Sequence, residues 1–231
     1  MAPNFPANVT LSQLLALSPG TTPTGVEPIE SVQNGTPVAF TVAQLTGATT
    51  TIINVKAAPY NAAGNFNRAL FGGGTGGTDD SAAFQVAIAA ATNPLVGTGG
   101  IVFVPNGNYL LKSGITLPAN VRLVGEAQNS VNLFDGGYNL APVVTMAGAK
   151  CSIENLTIFG CGMSAAFYGG TNDPYPSHPA VLIANNNQDA CVLSHCTVVF
   201  GSPTLQCLAQ DTVLDNCFLT EGYGVGIVQI S

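Results

Sequence analysis

The sequence predicts a mainly β chain wound as a solenoid of parallel strands, with one helix near the start of the winding. Three observations predict it. A short unit recurs in the second half, as "KCSIENLTIFG" (150–160), "ACVLSHCTVVFG" (190–201) and "TVLDNCFLTEG" (212–222). A second apolar run stands before each unit ("PVVTM", "AVLIA", "TLQCLA"), and another, "GIVQI", stands after the last. Residues 79–93 carry a helical apolar pattern, while the chain beyond Gly100 reads as brief β runs cut by Pro, Gly and Asn turns. Short strands repeating every 20-odd residues are the mark of stacked coils, in which like residues lie over like.

The repeat fixes which positions correspond. Ile153, Leu193 and Leu214 align, as do Ile158, Val198 and Leu219. Asn155, His195 and Asn216 share a turn position, and Leu156, Cys196 and Cys217 follow it. The cysteines are therefore expected as free, buried thiols that act as small hydrophobes in a narrow core, with Cys207 on another inward strand. No C-x-x-C pair occurs among the six cysteines, so neither a zinc site nor any other metal or cofactor is expected.

In the helical segment, Phe84, Ala87, Ile88 and Ala91 lie at i, i+3, i+4 and i+7, forming one apolar face. Thr78 or Asp79 is expected to cap the first free amides, with Asp80 suited to the positive helix start. Asn93-Pro94 should end it. Residues 71–78, "FGGGTGGT", precede this helix and raise the question of a phosphate loop. They lack the Lys such a loop requires, and the two carboxylates that follow would repel phosphate. A Rossmann reading fails too, because "NAAGNFNRALF" is a poor strand.

Residues 1–50 read as a separate section. "TLSQLLAL" predicts a short helix, and "GVEPIESVQNGTPVAFTVAQL" predicts strand, turn, strand and short helix. Asn34-Gly35 between alternating runs is a strong hairpin signal, because both turn positions must accept positive φ. The section is too small to build much core alone.

Composition narrows the function classes. Of 231 residues, 46% are hydrophobic and only 7% charged, with 12 acids against 5 bases and a net charge of −7. No basic cluster exists to meet a phosphate backbone or an anionic membrane, so neither nucleic-acid binding nor membrane insertion is expected. No apolar run approaches the ~18 residues of a membrane span, and no export leader is visible. So little charge fits a surface that is uncharged polar or covered in an assembly. A chain that stops inside what reads as another coil is expected to continue or to be capped by a partner.

Two resemblances follow. "INVKAAPYNAAGN…GGGTGGTDDSAAFQVAIAAA…GGIVFVPNGNYLLKSGITLPANVRLVGE" resembles the opening segment of pectate-lyase-like right-handed parallel β-helices. The matching positions are Thr78, Asp79, Asp80, Gly99, Gly100, Pro105, Gly107, Tyr109, Leu117, Pro118, Asn120, Val121, Leu123 and Gly125. The resemblance implies that the helix plugs the open end of the β-helix, so the Gly–Asp–Asp stretch is a structural cap. The usual acid-bearing G-D-G of the glycine loop is absent. "SQLLALSPGTTPTGVEPIESVQNGTPVAFTVAQLTG" is similar to the short particle-attachment module that begins many bacteriophage tail fibres and tailspikes, through Thr24, Gly25, Glu27, Val32, Gln33, Gly35, Thr41, Val42 and Leu45. Together they imply an attachment module (1–50), a β-helix opening and cap (51–126) and β-helix coils (127–231). They further imply a homotrimer in a virion, bound to other tail or capsid proteins and contacting host surface polysaccharide.

The alternative is a polysaccharide lyase or glycoside hydrolase on the same fold. Its candidate catalytic residues are Glu154 and Asp215, which share an outward column with Ser194. Two coils of ~4.8 Å would separate them by about 9.6 Å, at the upper edge of the ~6.5–9.5 Å used by inverting glycosidases. The other reading makes them solvated surface acids. Tyr168 and Tyr175 are candidates to stack on sugars, in a stretch that also holds His178 and otherwise reads as solvated loop. His195 is expected to bond turn backbone.

Overall fold

The computed structural model describes residues 29–33, 36–40, 51–68, 76–92, 99–136, 141–160, 178–184, 190–209, 211–220 and 227–229, with 29–33, 36–40 and 227–229 entering by backbone alone. The chain divides into two compact units, Met1–Thr49 and Thr50–Ser231.

In the first unit, β1 (Ile29–Gln33) pairs antiparallel with β2 (Thr36–Phe40). Gln33 faces Thr36, so the hairpin expected around Asn34-Gly35 forms. Val32 and Gln33 lie on β1. Thr24, Gly25, Glu27, Gly35, Thr41, Val42 and Leu45 lie outside the described residues, as do both short helices expected in this section.

The second unit is a right-handed parallel β-helix with three faces. The first face contains β3 (Ile52–Asn54), β4 (Ile101–Val104), β7 (Arg122–Gly125), β10 (Ser152–Glu154), β13 (Cys191–Ser194) and β16 (Thr212–Asp215). On the second lie β5 (Gly107–Leu111), β8 (Val131–Asp135), β11 (Thr157–Phe159), β14 (Thr197–Val199) and β17 (Phe218–Thr220). The third is made of β6 (Ile115–Leu117), β9 (Val144–Met146), β12 (Val181–Ile183), β15 (Leu205–Cys207) and β18 (Ile227–Gln229). Every pairing in these faces is parallel, and from β4 onward each coil contributes one strand to each face, β3 adding a sixth strand to the first.

Period-2 alternation sends alternate residues of each strand inward. Val102, Leu123, Ile153, Leu193 and Leu214 form the inward column of the first face. Tyr109, Leu133, Ile158, Val198 and Leu219 form that of the second. The alignment read from the repeat is thus the observed register. At the corner between these faces, Asn155, His195 and Asn216 all adopt φ near +50°, at 55°, 53° and 49°. This is the left-handed bend, which Asn tolerates better than most residues. His195 adopts it with its amide on the Asp215 carbonyl at 2.9 Å, so the bond to turn backbone runs through its main chain.

One helix, α1 (Ser81–Ala91), closes the start of the coil beside β3, β4 and β6. Phe84, Ala87, Ile88 and Ala91 are buried, as their spacing predicts. Gln85 turns back to the sheet edge, where its Oε1 accepts the Thr116 amide at 3.3 Å. The helix is shorter than the expected span of 79–93 at both ends: Asp79 precedes it, Asp80 stands at its N-cap and Thr92 at its C-cap. The motif downstream has a packing cause. The Tyr109 ring stands edge-on to Phe84 at 5.2 Å and its hydroxyl donates to the Pro105 carbonyl at 2.6 Å. Gly64, at φ +59°, passes so close that a Cβ would sit 2.8 Å from that ring. A Cβ on Gly99 would run into the Asn120 carbonyl, which fixes the Gly-Gly before β4.

Candidate functional site

The first face carries two outward columns. Ile101, Arg122, Ser152, Val192 and Val213 form one, and Phe103, Val124, Glu154, Ser194 and Asp215 form the other. Polar chemistry concentrates from Arg122 onward. Glu154 and Asp215 do lie two coils apart, since β13 is the one strand between β10 and β16. At about 4.8 Å per strand, their backbones are about 9.6 Å apart.

Glu154 is already engaged. Arg122 grips both of its oxygens, from Nε at 3.0 Å and Nη2 at 2.9 Å, and Ser152 Oγ donates to Oε1 at 2.7 Å. Burial pushes the carboxyl up, but the bonds from Arg122 and Ser152 outweigh it and hold Glu154 below the ordinary range. A carboxyl held ionised in this way cannot serve as a general acid near neutral pH. The Arg122 side chain is 48% exposed, so solvent screens the pair and its stability contribution is small. Glu154→Gln is expected to cost under about 1 kcal/mol at pH 7. Because the folded pKa is depressed, that contribution is present above the unfolded value of about 4.3 and fades as pH falls through the folded one. Urea midpoints of wild type and variant should therefore converge in acid.

The residues before α1 form a tighter constellation. Both Asp80 oxygens accept backbone amides across the chain, from Ala63 at 2.6 Å and Gly64 at 3.0 Å. Its side chain makes no capping bond to the helix, although it occupies the N-cap position. Asp79 does reach the helix start. Its Oδ1 accepts Ser81 N at 3.1 Å and Ser81 Oγ at 2.6 Å, and it also takes the Lys112 amide at 3.2 Å. Thr78 faces Asn65 instead, with its amide on Asn65 Oδ1 at 3.0 Å and its hydroxyl accepting Asn65 Nδ2 at 3.3 Å. Of the three expected caps, only Asp79 bonds a helix amide. Thr78 and Asp80 fasten the preceding loop. Burial, opposed by the two amides, raises the Asp80 pKa; at Asp79 the hydrogen bonds prevail over burial and lower it.

Two features escaped sequence reading. On the outer side of the second face, Leu110, Phe134, Phe159 and Val199 stack in register, and all are buried. Phe134 and Phe159 lie parallel at 4.6 Å, Phe66 leans on Phe134 at 5.1 Å, and Arg68 covers Phe159 at 5.0 Å. The signal was present, because "YLL", "LF", "TIF" and "VVF" are continuous apolar runs, which mark strands covered on both faces. Beside that ladder, Asn132 Nδ2 donates to Asn108 Oδ1 at 2.9 Å. Tyr168 and Tyr175 lie outside the described residues. His178 departs from the solvated-loop expectation: its Nε2 is shut off from water without a hydrogen-bond partner among the described residues, and burial lowers its pKa.

Among the described residues no group of three His, Cys, Asp or Glu could hold a metal, and no helix is long and apolar enough to cross a membrane. Residues 72–138, from the glycine loop through β8, match the family described as rhamnogalacturonase A/epimerase, pectate lyase-like. The second unit is a pectate-lyase-like parallel β-helix. No curated protein matches the chain. Among solved structures, the chain is similar to a protein of Geobacillus virus E2, ORF18, at 17% identity and a TM-score of 0.40. That similarity covers 94% of this chain and 53% of the viral one, so the chain spans about half its length. On this pectate-lyase-like β-helix, the ion pair seen among the described residues, Arg122–Glu154, lies on the outer side of the first face.

Proposed function

We propose that the chain is a virion structural protein, a phage tailspike or tail fibre. Its N-terminal section anchors it to the particle, and its β-helix supports recognition of host surface polysaccharide. The observation that carries this reading is the order of parts: an attachment-type motif built on the β1–β2 hairpin, followed by a capped pectate-lyase-like β-helix. Low charge supports it, because 7% charged residues suits a surface largely covered by copies of itself or by other tail or capsid proteins. The protomer is proposed to trimerise. Light scattering on the purified full chain should give three times 23.4 kDa, and removal of residues 1–49 should abolish particle incorporation. A monomeric full chain would overturn the reading.

A second reading, a polysaccharide lyase or glycoside hydrolase, draws on the enzymes named in the family match and on the Glu154–Ser194–Asp215 column. Against it stands the Arg122 clamp on Glu154. New reducing ends from host polysaccharide, lost in Asp215→Asn, would establish it. We expect none.

A further inference from the structure

Five cysteines among the described residues are free, and four of them stand as two pairs in successive coils. Cys151 and Cys191 precede β10 and open β13, with sulfurs 3.6 Å apart and both residues fully buried. Burial and their mutual hydrogen bond push Cys151 well above the ordinary thiol range. Cys196 and Cys217 occupy the corner before β14 and β17. The registers on either side, Leu193↔Leu214 and Val198↔Leu219, set them directly in line. Their Cα atoms are thus one strand spacing apart, about 4.8 Å, inside the ~4.4–6.8 Å that a disulfide spans.

The second pair differs from the first in access. Cys196 is buried, but Cys217 is only partly so, because it lies on the outermost described coil. On that coil Leu214 is 40% exposed at an inward position and Phe218 is 63% exposed. Cys196 Sγ donates to the Ser194 and Ile153 carbonyls at 3.2 and 3.4 Å, and Cys217 Sγ to the Leu193 and Asp215 carbonyls at 3.3 and 3.4 Å, so the two sulfurs turn into the same corner. Cys217 is therefore the partner that a reagent reaches first, with the buried Cys196 thiol behind it.

We propose that Cys196 and Cys217 form an oxidisable pair whose disulfide fastens the coil β16–β18 to the coil β13–β15. With diamide as oxidant, the Cys217 thiolate attacks an azo nitrogen and the other nitrogen takes a proton. The Cys196 sulfur then attacks the Cys217 sulfur. The S–S bond forms, the S–N bond breaks, and the departing nitrogen takes the second proton. The two thiols lose two electrons and two protons, and diamide leaves as the hydrazine. A disulfide here ties two successive coils covalently, which a solenoid stabilised only by contacts between neighbouring coils otherwise lacks. The proposal is independent of the tail-appendage reading.

The test uses the native full chain, treated with diamide, quenched with iodoacetamide and mapped as peptides. The expected product is a peptide linking Cys196 to Cys217, formed before any Cys151–Cys191 link and absent in Cys217→Ser. Amide exchange in β16 and β17 should slow several-fold on oxidation, since opening of this coil would then require its tied neighbour to unfold as well. A link from Cys217 to Cys161, a link between chains, or a Cys196–Cys217 link that forms only in denaturant overturns the proposal. The wild-type peptide map decides it even where the variant folds poorly.

Discussion

Phe84→Ala is expected to lower the stability of the second unit by about 3–5 kcal/mol, the cost of truncating a fully buried aromatic. Phe84 has no solvent exposure and stands against Tyr109, in the core that α1 closes. Removing its ring forfeits burial and leaves a hole that the coil cannot collapse to fill, because the three parallel faces hold their spacing through backbone hydrogen bonds. The measurement is the urea midpoint, with the slope against denaturant compared to wild type. Val86→Ala supplies the control. Val86 lies on the same helix but is 55% exposed, and its truncation should change stability by no more than about 0.5 kcal/mol. Equal losses from the two would mean that α1 does not plug the coil with the face containing Phe84.

Asp80→Ala is expected to cost roughly 2–6 kcal/mol without removing a side-chain helix cap. Asp80 is 1% exposed, and its carboxylate is the partner of two backbone amides, those of Ala63 and Gly64. Alanine leaves both without that acceptor in a site shielded from water, at about 1–3 kcal/mol for each stranded donor. Asp80→Asn keeps one acceptor and turns an NH2 toward the other amide, so it should lose about half as much. If Asp80 were a mere helix cap, substitution would cost about 1 kcal/mol and Asn would replace it almost freely. Denaturation of the two variants separates these accounts.

The difference at Asp80 shows where the sequence was legible. Local rules found the helix face, because Phe84, Ala87, Ile88 and Ala91 obey a period set within the helix itself. The same rules misassigned Asp80, since its partners lie 16 and 17 residues away and no spacing rule relates them. The coil register was readable for a different reason. Coils that stack on like coils must repeat, so Ile153, Leu193 and Leu214 announced their alignment through similarity alone. The first half offered no such repeat, so its coils were expected from the resemblance alone and their register emerged with the structure. The candidate site was the least legible part. That Glu154 and Asp215 share a column follows from the repeat, but Arg122 lies a further coil back, in a stretch of different sequence. Its grip changes Glu154 from a candidate acid into a fixed anion.

The left-handed corner at Asn155, His195 and Asn216 has a consequence for how such a molecule can change. In the last three coils this corner spends two residues between the first and second faces. The chain between the second and third faces varies widely, from residues 160–180 in one coil to 200–204 in the next. The corner therefore serves as a hinge pin of fixed length, while the opposite edge accepts insertions without disturbing the strands on either side. New surface segments can be acquired or lost at that edge during evolution, with the stack beneath them unchanged.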